Sequence, residues 1–156
     1  MAEIMTFIVD PFDLPVNEIP ANLPVGHMFA ESARCAVFME RMAIFSRGLE
    51  IQVGYHVRED APTAGEGFGI PVVGSADDLG LELRPEGSTR RLTVRKTGAS
   101  GQDFSGRMFY WAAPVPPGQG LDVSIVWPSL GVESRNWLIR HDALREAVSE
   151  VRVLWR

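Results

Sequence analysis

Residues 114–120 read Pro-Val-Pro-Pro-Gly-Gln-Gly, a stretch that no helix crosses, because proline brings no amide hydrogen and clashes with the preceding turn. On its far side Leu121, Val123, Ile125 and Trp127 alternate with Asp122 and Ser124, the period-two pattern of a half-buried strand. On its near side Met108, Tyr110 and Ala112 alternate with Arg107, Phe109, Trp111 and Ala113. Two such strands flanking a proline-rich turn are expected to pair as a hairpin. Tyr110 and Trp111 then fall on opposite faces of the sheet.

The same alternation recurs elsewhere. Leu49, Ile51, Val53, Tyr55 and Val57 interleave with Glu50, Gln52, Gly54, His56 and Arg58, a strand with one wet face. The apolar run over 32–45 suits a helix or a strand by composition. The short Ser46-Arg47-Gly48 link to a clear strand favours a hairpin, with Glu40 and Arg41 marking a bulge or a change of face. Residues 79–84 and 90–96 flank the turn Pro85-Glu86-Gly87-Ser88 and predict a further hairpin. In it Leu79, Leu81 and Leu83 face Leu92 and Val94, and the outer side carries Glu82, Arg84, Arg91 and Arg95. Residues 97–106 have the composition of a flexible polar loop. Residues 132–140 predict a strand with Trp137 and Ile139 on one face, and Asp142 is placed to cap a helix that starts near Ala143 and lines up Leu144, Ala147, Val148 and Val151. The apolar end of the chain is expected to pack back on the domain.

Residues 1–26 contain Pro11, Pro15, Pro20 and Pro24 and predict an extended arm, docked on its own domain or on a second subunit, the alternative being a disordered leader. Residues 59–77, rich in Gly, Pro and Ala, form the longest irregular connection, whose Phe68 either covers one end of the core or belongs to a functional loop. About seven strands in hairpins with one short terminal helix predict an all-β chain, an antiparallel sandwich of the immunoglobulin or jelly-roll type. At 156 residues, 1–156 is expected to be one domain, long enough to bury about 70% of its unfolded surface without covalent staples.

Several chemistries are argued against. A net charge of -5, with Lys96 the single lysine, speaks against nucleic acid, which is bound through clustered cations. The N-terminal apolar piece is too short to span a bilayer and carries Glu3 and Asp10 where a secretory leader carries basic residues, so the expected address is the cytoplasm, with no membrane partner. Cys35 stands alone in an apolar run and is expected to be a buried, inert thiol. His27, His56 and His141 are far apart, and neither a metal nor any other cofactor is expected. Gly65-Glu66-Gly67-Phe68-Gly69 has the wrong spacing for a phosphate cradle, no nucleophile elbow is present, and no catalytic residue is nominated.

Surface candidates remain. Trp111, if exposed, would stack on a sugar, a base or a partner, whereas burial under another element is the commoner fate of a large aromatic. Tyr110, Phe68 and the cations Arg91 and Arg95 complete the set of ligand or interface candidates, the arginines facing either an acidic partner or plain solvent. The leading expectation is a non-enzymatic binding or interaction module whose partner is itself, as a homo-oligomer, or another protein. The rival is a site for a small molecule or carbohydrate, with or without hydrolysis, at one end of the sandwich between 59–77 and 97–106.

The sequence of landmarks Tyr110-Trp111, the prolines of 114–117, the strand 123–127 ending in Trp127-Pro128, Leu130-Gly131, Asp142-Ala143-Leu144-Arg145 and Leu154-Trp155 resembles an uncharacterised family of actinobacterial proteins. The hairpin over 37–57 is similar to that family's first strand pair, so the resemblance covers roughly residues 30–156. It implies a bacterial, intracellular all-β protein and supplies no catalytic residue. Arg156 stands where the family pattern has proline.

Overall fold

A computed structural model describes residues 15, 17–23, 26–58, 79–102, 104–115, 118–128 and 131–155. In chain order the elements are β1 (Glu18–Ile19), β2 (Ala21–Leu23), β3 (Met28–Glu31), β4 (Cys35–Ile44), β5 (Leu49–Val57), β6 (Gly80–Pro85), β7 (Thr93–Gln102), β8 (Ser105–Ala113), β9 (Leu121–Trp127), β10 (Val132–Ile139), α1 (His141–Glu150) and β11 (Arg152–Val153). They build an antiparallel β-sandwich. The larger sheet runs β2-β4-β5-β8-β7 with β3 also on the outer edge of β4, and the smaller runs β10-β9-β6. A separate ribbon pairs β1 with β11.

The β4–β5 hairpin shows how the alternation becomes a face. Before the irregularity Cys35, Val37 and Met39 point inward, and after it Met42 and Ile44 do, a spacing that a regular strand does not allow. The register shift between Met39 and Arg41 restores the parity, leaving Glu40 as the extra residue, at the place where the sequence pattern changes phase. The hairpin closes with the Phe45 amide donating to the Gly48 carbonyl at 2.9 Å.

Between the sheets, Leu83, Leu121, Val123, Ile125 and Trp127 of the smaller meet Val53, Tyr55, Met108 and Tyr110 of the larger, all buried. The rings of Tyr55 and Trp127 meet edge to face at 5.2 Å. Each fully buried aliphatic side chain of this kind stabilises the fold by about 1.5–3 kcal/mol relative to exposure. The Tyr110 hydroxyl donates to the Leu79 carbonyl at 3.5 Å, and burial pushes its phenol well above the ordinary tyrosine range.

Four expectations are corrected. β8 and β9 are not hairpin neighbours: β8 lies between β5 and β7, β9 between β10 and β6, and the proline-rich link carries the chain from one sheet to the other. Alternation fixes which face of each strand is buried, and facing across the core satisfies it as well as lying side by side. Residues 79–96 likewise form a corner and not a hairpin. The Ser88 amide closes the expected turn onto the Pro85 carbonyl, the Leu92 amide reaches the Leu83 carbonyl at 2.8 Å, and then β6 pairs with β9 while β7 pairs with β8. Residues 97–106 fall largely in strands, because β7 continues to Gln102 and β8 starts at Ser105. The helix begins at His141 with Arg140 in the capping position and no side-chain cap. Asp142 sits inside the first turn, where its charge complements the amide end of the helix.

Of the N-terminal arm, residues 15, 17–23 and 26 are described, with β2 on β4 and β1 on β11. Residues 1–14 and 59–78, Phe68 among them, lie outside the described residues.

Candidate functional site

The outer face of the larger sheet bears a groove of about 410 Å³ lined by residues of four adjacent strands. Register explains its floor. Gly54 of β5 lies opposite Phe38 on β4 and opposite Arg107 on β8, so the middle of that cross-strand row lacks a side chain. Strands two apart are separated by roughly 10 Å, and the space that a side chain at 54 would need is taken by the Phe38 ring, which lies within 2.6 Å of where its Cβ would stand. Arg107 Nε donates to Glu40 Oε2 at 2.7 Å, over the top of β5. The bulge is what turns Glu40 toward this face.

The same carboxylate oxygen accepts from Gln52 Nε2 at 2.5 Å. The Arg107 hydrogen bond, reinforced by Gln52 and by the nearby positive charge, holds the Glu40 carboxyl below the ordinary glutamate range. It is a fixed acceptor, not a proton donor, near neutral pH. Along the opposite rim the Phe38 and His56 rings stack, 5.5 Å apart and 25° from parallel. Ser100 of β7 and Ser105 of β8 line the remaining wall with Gly101 and Gly106. Among the described residues neither serine hydroxyl is engaged in a hydrogen bond.

Of the residues singled out in the sequence, none of the described ones lines this groove, and only Trp111 and Arg95 lie side by side. Tyr110 is in the core, and Trp111, with 0% exposure, packs on the outer face against Ala43 and Phe45, the Phe45 ring 5.6 Å away. Arg95 is exposed beside Trp111 on the neighbouring strand. Arg91 sits at the corner before β7, where its Nε lies 3.2 Å from Glu82, which also pairs with Arg84. The two arginines therefore do not share a face. Glu40 and His56 had visible signatures, a phase change and a wet strand position. Their meeting with Arg107 depends on the order β4-β5-β8, which local pattern does not carry.

A second surface feature is the β1–β11 ribbon. Glu18 lies opposite Val153 and Ile19 opposite Arg152, the Leu154 amide donates to the Asn17 carbonyl at 2.8 Å, and Asn17 Nδ2 donates to the Trp155 carbonyl at 3.1 Å. Glu18 also anchors the ribbon to the β4–β5 turn by accepting from the Ser46 amide at 2.9 Å. Ile19, Val153, Leu154 and Trp155 are all exposed, Trp155 to 63%. Among the described residues no group of His, Cys, Asp and Glu is arranged to hold a metal ion, and no helix is long and apolar enough to cross a membrane. Comparisons with protein-family models, curated proteins and solved structures find nothing that matches this chain.

Proposed function

We propose that the protein is a non-enzymatic interaction module of the bacterial cytoplasm that associates with a second copy of itself through the β1–β11 ribbon. The observation that carries this reading is the ribbon's exposed apolar set. Paired residues share a face, so Val153 projects on one side of the ribbon and Ile19 on the other. Apolar groups on both sides, beside strand edges unpaired among the described residues, favour a protein surface over water. A two-fold pairing of identical ribbons satisfies both requirements, because the same patch supplies each half of the contact.

Two further features support a binding role over catalysis. Burial pushes the Cys35 thiol up, and Arg107 holds the Glu40 carboxyl down, so both groups are moved away from the neutral range where acid–base and thiolate chemistry operate. The pairing of Arg84 and Arg91 with Glu82, together with the negative net charge, favours a protein partner over nucleic acid.

Light scattering coupled to size exclusion tests the reading on the wild type, Trp155→Ala and Val153→Asp. The expected result is a concentration-dependent dimer for the wild type and a folded monomer for both variants. A wild-type monomer at high micromolar concentration, with Trp155 open to acrylamide quenching, overturns it.

A further inference from the structure

We infer that the groove on the outer face of the larger sheet binds a neutral polyhydroxylated ligand, a saccharide unit, across the Glu40–Arg107 pair. The inference is independent of self-association through the ribbon, which belongs to a different part of the surface.

Charge balance selects the class. Glu40 and Arg107 cancel within the groove, so an anion meets the carboxylate and a cation meets the guanidinium, each at close range. A wholly apolar ligand would strip water from the ion pair and return no hydrogen bond. A vicinal diol suits both charges at once. Glu40 Oε2 already accepts from Arg107 Nε and from Gln52, which leaves Oε1 to accept from one ligand hydroxyl. The terminal guanidinium nitrogens of Arg107 are then available to donate to its neighbour.

The remaining walls fit the same chemistry. The hydroxyls of Ser100 and Ser105 both give and take hydrogen bonds, and the stacked Phe38 and His56 rings offer an apolar wall to the C–H face of a pyranose. The Phe38 ring lies across Gly54, where a Cβ would come within 2.6 Å of it, so this ring and not bare backbone forms the floor on which a sugar face would rest. At about 410 Å³ the groove stands at the small end of ligand cavities, the size of one or two sugar rings.

The test is a ¹H–¹⁵N NMR titration of the full chain with glucose, galactose, maltose and cellobiose, and separately with inorganic phosphate and putrescine. The expected result is that at least one sugar shifts the amides of Gly54, His56, Ser105 and Arg107, while phosphate and putrescine leave them in place. Glu40→Gln keeps the shape of the side chain and removes the charge, and is expected to weaken that sugar at least about tenfold, as the loss of one charge-assisted hydrogen bond does. Trp155→Ala, outside the groove, is expected to leave the affinity unchanged. Silence toward all four sugars overturns the inference, and so does a response of these amides to phosphate or putrescine alone. Undiminished sugar binding by a folded Glu40→Gln overturns it as well. Should that variant fail to fold, the wild-type amide map decides alone.

Discussion

Trp111 occupies the space that a side chain at residue 48 would need. A Cβ built on Gly48 lies 2.9 Å from Trp111 Cε2 and 2.6 Å from the Ala112 carbonyl oxygen. The indole is held by Ala43 and Phe45, and the carbonyl belongs to a paired strand, so neither yields cheaply. Gly48→Ala is therefore expected to destabilise the protein by about 1–3 kcal/mol, the usual result of overpacking. Urea denaturation measures it, and a neutral or stabilising substitution would show that the β4–β5 turn shifts freely.

The alternation along β9 makes a paired prediction. Ile125 has 0% exposure between the sheets, while its neighbour Val126 faces outward. Ile125→Ala is expected to cost about 2–5 kcal/mol, for the lost transfer energy and the cavity left behind. Val126→Ala is expected to stay within about 0.5 kcal/mol. Calorimetry of the two variants reads the difference, and comparable losses at both positions would contradict the burial of one face.

These two cases also mark what the chain discloses locally and what it does not. The buried face of β5, β8 and β9 is written in period two, and the bulge at Glu40 is visible because Met39 and Met42 break that period while both being apolar. Partner choice is different. β8 pairs with β5, whose Leu49 and Ala112 lie more than sixty positions apart, and nothing in either strand names the other. The corner at 85–92 and the proline-rich link at 114–120 each read as a hairpin turn because turn chemistry specifies a reversal, not the sheet into which the returning strand inserts. The groove suffers from the same blindness. Its parts come from β4, β5, β7 and β8, and only the assembled order places Gly54 between Phe38 and Arg107.

Glu40 gives a pH signature. Its carboxyl titrates below the ordinary value of 4.5 in the folded chain, chiefly through the Arg107 hydrogen bond. A depressed folded pKa means that the unfolded chain takes up the proton first, so the stabilising contribution is complete above the ordinary glutamate pKa and is lost as the pH falls through the folded value. The difference in melting temperature between wild type and Glu40→Gln is thus expected to favour the wild type at neutral pH and to shrink on acidification past that window. A difference that stays constant with pH would mean that the pair contributes shape and not charge.

His27 and Trp137 give the β3–β10 edge of the sandwich its own titration. The two rings stack 4.6 Å apart and 8° from parallel, and Phe29 meets both edge-on, at 5.3 Å from His27 and 6.0 Å from Trp137. The His27 carbonyl accepts from the Met39 amide at 2.8 Å, so the stack ties the β3 edge of the larger sheet to β10 of the smaller. Two effects compete for the proton: the face of an indole attracts a charged imidazolium, and burial among apolar rings disfavours it. Burial prevails, and the His27 pKa lies below its ordinary 6.5. The unfolded chain then binds the proton more tightly, so the neutral stack stabilises fully above pH 6.5 and loses that contribution as the pH falls toward the folded value. NMR titration of the imidazole is expected to give a midpoint below that of free histidine. His27→Phe, which keeps a ring on Trp137, is expected to remove this part of the acid destabilisation while preserving the junction at neutral pH. A midpoint above 6.5 would instead assign the stack to cation–π attraction and reverse the sign of its pH dependence.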